Sequence, residues 1–150
     1  MPLIATPKTF TYTTTLDHVI ARTGVARSGA KPELRVASPP EFKGEKDVWT
    51  PEDLFVSSIE VCLMLTFIGV AEKRALEFIR YESSAEGTLE WIDGSYRFTR
   101  VVVRPRVTVA SVEAIAVAYE VIGRAHATCL VANSVRSDVI VKPEVVPEES

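Results

Sequence analysis

The chain has 150 residues, 47% hydrophobic and 25% charged, and a net charge of −3. That length and balance describe a soluble globular protein, one domain over residues 1–150, long enough for one core and too short for two. The basic residues are scattered rather than clustered, which excludes the electrostatic footprint of a nucleic-acid binder.

The N-terminus, Met1-Pro2-Leu3-Ile4-Ala5-Thr6-Pro7-Lys8, lacks the charged-then-apolar pattern of a signal peptide. The expected compartment is therefore the cytoplasm, where thiols rest reduced and a disulfide is transient and catalytic rather than structural. Thr9-Phe10-Thr11-Tyr12-Thr13-Thr14-Thr15 is β-branched and aromatic and reads as a strand, with a second near Val19-Ile20-Ala21-Arg22. Glu33-Leu34-Arg35-Val36-Ala37 alternates as a third strand should, and Ser38 to Glu45 breaks the pattern as a loop. Together these make an N-terminal antiparallel sheet.

Thr50-Pro51-Glu52-Asp53 is a helix start: Thr can cap free amides, Pro suits the first helical position, and the two acids suit the positive end of the dipole. The helix should run to about Arg74. Its middle, Val61 to Ala71, is apolar on every face, yet Glu60 and Glu72 bracket a stretch too short to span a bilayer. A central buried helix follows, and since one small sheet covers one side, a second helix and a second subunit are expected to cover the rest. Glu77 to Trp91 and Tyr96 to Val109 read as two strands joined by a turn at Asp93-Gly94. Ser111 is the expected cap of a further helix with apolar positions Val112, Ile115, Ala116, Tyr119, Ile122, His126 and Cys129. A last strand, Val139-Ile140-Val141, leads to an acidic tail.

The two cysteines, Cys62 and Cys129, each sit in an apolar helical segment, and neither belongs to a Cys-x-x-Cys pair. They are either inert core thiols or a redox pair that only the fold can assemble. His126 and Cys129 are three apart on one helix face, but only His18 and Cys62 remain to complete a metal site, so no metal is expected. Trp49 and Trp91 read as core or interface aromatics, and nothing near them suggests a cofactor.

Five segments, taken in order, carry a resemblance: Arg22-Thr23-Gly24; Ser38-Pro39-Pro40-Glu41-Phe42 with Gly44; Thr50-Pro51-Glu52-Asp53-Leu54; Cys62, ten residues past Glu52; and Cys129-Leu130-Val131-Ala132-Asn133-Ser134. The chain resembles the OsmC and organic hydroperoxide resistance proteins, thiol peroxidases that form intertwined homodimers. The resemblance implies an α+β, OsmC-like fold with antiparallel sheets packed around two long central helices. It implies Cys62 as peroxidatic thiol, Cys129 as resolving thiol, and Arg22 with Glu52 as their polar partners. The implied reaction reduces an organic hydroperoxide to an alcohol, with no bound cofactor and an external dithiol, lipoyl-type or another, as reductant. No nucleic acid and no membrane insertion are implied.

A thiol buried among Val61, Leu63, Met64 and Leu65 should be a poor acid and needs a cation to hold its thiolate. Arg22 supplies one that cannot deprotonate, and Glu52 would hold its guanidinium in a bidentate contact. Arg27 competes for that place, being a small register shift away. At 1.5 Å per residue, Glu52 and Cys62 stand about 15 Å apart on one straight helix, so each site is expected at a dimer interface, with the two residues from different subunits. Phe55, Leu63, Met64 and Phe67 are the expected lining of an apolar mouth suited to alkyl or lipid hydroperoxides. Two positions depart from the family: Glu60 lies two residues before Cys62, and Leu130 follows Cys129 where many relatives have Pro. The alternative function is a non-catalytic dimeric binding protein of the same fold, holding a small apolar ligand.

Overall fold

The computed structural model describes residues 7–149. These fall into two compact units, one ending at Asp53 and the other beginning at Leu54.

The first unit carries a three-stranded antiparallel sheet of β1 (Thr15–His18), β2 (Thr23–Arg27) and β3 (Leu34–Ala37), in that order. Of the expected strand Thr9–Thr15, only Thr15 is in a strand, where it pairs with Arg27. Val19–Arg22 is not a strand but the turn between β1 and β2. Ala21 adopts a left-handed φ of 50° there, and the Thr23 hydroxyl donates to the Ile20 carbonyl at 2.6 Å, so local side-chain bonding overrides β propensity. After β3 the chain folds tightly through Pro40–Phe42. A Cβ on Gly44 would lie 1.4 Å from the Ser38 carbonyl oxygen, so this close approach of two backbones requires glycine.

Helix α1 (Pro51–Lys73) starts and stops within a residue of its expected bounds. The cap is reciprocal: Asp53 N–H donates to Thr50 Oγ1 at 3.0 Å, and Thr50 N–H donates to Asp53 Oδ2 at 3.1 Å. In the second unit, β4 (Phe78–Ile92) and β5 (Ser95–Val109) form a long antiparallel hairpin, turned by Asp93 and Gly94, both at positive φ. Helix α2 (Ile115–Thr128) follows a short 3-10 turn at Val112–Ala114. Ser111 makes no side-chain cap bond there, in contrast to its expected role. β6 (Asp138–Val141) and β7 (Glu144–Pro147) both run parallel to β5, making this sheet mixed rather than purely antiparallel. β7 occupies the segment expected to be an acidic tail, because burying Val145 against the core gives that segment a place.

The core of this unit lies between the sheet and the two helices. It joins Ile59, Leu63, Phe67 and Ala71 of α1, alternate valines of β5 and Ala118, Val121, Ile122 and Ala125 of α2. The four α1 residues recur every fourth position and form one buried stripe. The remaining apolar face of α1 carries exposed side chains, with Val61 47% and Leu65 58% exposed among the described residues. By length and apolarity α1 could cross a membrane, but its buried stripe makes it the core helix of this fold. Trp49 and Trp91 lie outside the core, at 48% and 63% exposure.

Candidate active site

Cys62 sits midway along α1, on the face that opens to solvent beside the buried stripe, and Cys129 terminates α2. The residues between α2 and β6 determine how the two thiols meet. Cys129 leaves the helical path with an extended ψ of 110°, which turns Leu130 and Val131 towards α1 rather than into another helical turn. Cys129 itself is fully buried, and its thiol adjoins that of Cys62 closely enough for each to shift the other's acidity. Both are free thiols.

The two environments differ in sign. At Cys62 burial pushes the thiol up, but the amide of Val131, the Cys129 thiol, the Thr66 hydroxyl and the amide of Leu130 together bring it below the ordinary thiol range. At Cys129 burial also pushes the thiol up; the Ala132 and Val131 amides only partly offset this, and the neighbouring Cys62 adds to the rise. One thiol is thus poised to ionise while its neighbour keeps its proton, the division of labour a nucleophile and a later attacking group require. Thr66 Oγ1 lies 3.9 Å from Cys62 Sγ, one helical turn on. Helical spacing alone could have singled out Thr66; no sequence signal marked the amides.

Glu60 does not oppose the thiolate. It is turned towards β4, where the Ser83 hydroxyl donates to its Oε1 at 2.5 Å. The Tyr81 hydroxyl is buried with no hydrogen-bond partner among the described residues, and burial first, then the charges of Glu60 and Cys129, pushes it up to about 12.

A groove of about 590 Å³ opens at Cys62, lined by Leu54, Val61, Leu65, Thr66, Leu130 and Val131 among others. It is apolar, as expected, but its lining differs. Leu63 and Phe67 are buried in the core and Phe55 stacks on Phe98 at 4.7 Å, because these three fall on the sheet-facing side of α1. His126 uses Nε2 on the Val139 carbonyl at 3.1 Å.

Arg22 and Glu52 belong to the first unit. Arg22 is exposed, and its Nη1 donates to the Phe42 carbonyl at 3.3 Å. Arg27 is ion-paired on both sides, to Glu33 at 2.9 Å and to Asp17 at 2.5 Å, which raises its pKa chiefly through the Glu33 bond. Of the two candidate arginines, Arg22 is the one whose guanidinium is not in an ion pair among the described residues. Glu52 is half-buried, its Oε2 has no hydrogen-bond partner among the described residues, and no ion pair joins it to Arg22.

Residues 44–144 match the family model for OsmC-like protein. The chain belongs to the OsmC-like protein family. Solved structures share its fold: an OsmC-like protein of unknown function from Vibrio cholerae is 21% identical, with a TM-score of 0.82 over 90% of this chain and 99% of that one. An organic hydroperoxide resistance protein from Elizabethkingia anophelis is 21% identical, with a TM-score of 0.75 over 95% of this chain and all of the other. An organic hydroperoxide resistance protein OsmC from Legionella pneumophila is 21% identical, with a TM-score of 0.73 over 93% and 99%. No curated protein matches the chain. The OsmC-like fold is α+β, with two helices and both mixed and antiparallel sheets, as in this chain.

Proposed function

We propose that this OsmC-like protein is a cysteine peroxidase that reduces organic hydroperoxides, with Cys62 as peroxidatic and Cys129 as resolving thiol. The observation that carries the reading is the pair itself: two free thiols that act on each other, one lowered and one raised in pKa, the lowered one lining an apolar groove and the raised one buried behind it. In the first step the Cys62 thiolate attacks one peroxide oxygen, the O–O bond breaks, and the alkoxide takes a proton to leave as an alcohol, with Cys62 now a sulfenic acid. In the second, Cys129 sulfur attacks the sulfenic sulfur, the S–O bond breaks, and water departs as the disulfide forms. An external dithiol, lipoyl or similar, then reduces the disulfide and is itself oxidised.

Arg22 fits the cation that binds peroxide oxygen and stabilises the departing alkoxide, and the unpartnered Oε2 of Glu52 fits the group that orients it. The uncovered apolar face of α1 favours a homodimer in which a partner subunit completes each site, with Glu52 and Cys62 from different chains. A cytoplasmic setting, where a dithiol pool is maintained, suits the cycle.

Reduced protein treated with one equivalent of an organic hydroperoxide should rapidly lose two hydrogens and give a Cys62–Cys129 cross-linked peptide. Cys62→Ser should abolish peroxide consumption, and Cys129→Ser should stop at a sulfenic acid on Cys62. Unchanged peroxide consumption by Cys62→Ser would refute the reading.

A further inference from the structure

The segment that carries the second thiol also presents two backbone donors to the first. Beyond Cys129 the chain makes a turn in which the carbonyls of Cys129, Leu130 and Val131 are engaged. Asn133 N–H donates to the Cys129 carbonyl at 3.0 Å, Ser134 Oγ to the Leu130 carbonyl at 2.7 Å, and Ser134 N–H to the Val131 carbonyl at 3.0 Å. Asn133 Nδ2 donates to the Ala127 carbonyl at 3.2 Å, replacing an amide lost when the chain leaves the helix. The N–H groups of Leu130 and Val131, in contrast, have no backbone acceptor among the described residues. Leu130 and Val131 line the same groove as Cys62, and both amides bear on its sulfur, the Val131 amide on that of Cys129 as well.

We infer that the Leu130 and Val131 amides are catalytic donors: they hold the Cys62 thiolate and then the oxygen of its sulfenic acid, so that the resolving segment itself activates the peroxidatic thiol. Asn133 is a positioning residue in this scheme, since its two bonds fix the turn that aims the amides. Two converging N–H groups form an anion-binding concavity of the kind peptide backbones make without any charged side chain. Such a site works inside the second unit alone. The cation proposed above then acts on the peroxide and the departing alkoxide, while the amides act on the sulfur.

This inference rests on Cys62 being the nucleophile of the proposed function, but it is tested without hydroperoxide. Leu130→Pro deletes one donor and little else. The Leu130 side chain is 70% exposed, and Cys129, at φ −66° and ψ 110°, already has the extended backbone that a following proline demands. Cys129→Ser serves as the parent, leaving Cys62 as the one thiol. The titratable group facing Cys62 is then removed, Glu60 is turned to Ser83, and Tyr81 faces Glu60 and position 129. In that parent, thiolate absorbance against pH and the rate of alkylation at neutral pH read the Cys62 thiolate directly. Losing one bond to a charged acceptor should lower the neutral-pH alkylation rate about ten-fold in Leu130→Pro. Leu130→Ala, which keeps the N–H, should stay within about two-fold of the parent by the same reasoning. A folded Leu130→Pro variant that titrates and alkylates like its parent would overturn the inference.

Should Leu130→Pro not fold, the parent carries the test alone. In 15N-labelled parent, the Leu130 and Val131 amide protons should move through the Cys62 titration. Amide shifts that ignore the titration would overturn it equally. Peroxide inertness of the wild type would sink the proposed function and leave these readouts untouched.

Discussion

Replacing Tyr81 by Phe removes one oxygen atom and keeps the ring, which packs on Phe67 with centroids 5.2 Å apart. The hydroxyl is buried and has no hydrogen-bond partner among the described residues, so wild type carries the desolvation of a polar group with nothing in return. Such a group costs about 1–3 kcal/mol, and Tyr81→Phe should therefore stabilise the protein at pH 7 by about 1 kcal/mol or more. For a chain of this size that raises Tm by about 2–4 °C.

A second signature follows from titration. Burial first, then the charges of Glu60 and Cys129, raises the tyrosine from 10.0 to about 12 in the folded state. A folded pKa above the unfolded value means that the neutral tyrosine's contribution is fully present below pH 10 and is lost as pH rises towards 12. Two units correspond to about 2.7 kcal/mol at full effect; with partial solvent screening, wild type should lose about 1 kcal/mol relative to Tyr81→Phe between pH 9 and pH 11. Urea denaturation of both proteins at pH 7, 9 and 11 measures the two effects. A variant destabilised by more than about 1 kcal/mol at pH 7 would refute the reasoning, because only a bonded hydroxyl is missed that much.

Phe67, at 1% exposure and in contact with Phe78 and Tyr81, should cost about 3–5 kcal/mol when replaced by Ala, read as a lower urea midpoint at unchanged slope. Thr50→Ala removes half of the reciprocal cap of α1 and should cost about 1 kcal/mol in the same assay. Leu65→Glu should leave the protomer folded, since that side chain is 58% exposed, yet shift the mass in analytical ultracentrifugation from dimer to monomer; a persistent dimer would place the interface elsewhere. Alkylation of Cys62 should persist below the ordinary thiol range and fade as pH drops through its depressed value. Cys129, raised and buried, should stay unreactive until higher pH, and the reverse order by peptide mapping would refute the assignment.

Short-range signals proved the most legible. The Thr50–Asp53 cap and the Asp93-Gly94 turn involve neighbours in sequence, so α1 and the β4–β5 hairpin could be bounded from their residues. The strand expected at Thr9–Thr15 failed because β propensity has no force without a partner strand, and β1 forms only where Thr15–His18 finds β2. β7 went unnoticed because its pairing partner, β5, lies far back in the chain and Pro143 and Pro147 bracket so short a run.

The same division runs through the site. The order of Arg22, Glu52, Cys62 and Cys129 and the apolar setting of each thiol were readable as residues, and so was the family they resemble. Which way α1 faces was not, because a helix apolar on every side has no periodic pattern to choose its buried stripe; the sheet chooses Ile59, Leu63, Phe67 and Ala71 by packing. That choice leaves Cys62 on the groove and turns Glu60 to Ser83. Likewise, the approach of Cys129 and the aim of the Leu130 and Val131 amides depend on backbone angles held by Asn133 and Ser134. Capping and turn formation are settled among adjacent residues and can be read locally, whereas thiol pairing and the acidity of Cys62 arise from groups that only tertiary packing brings together.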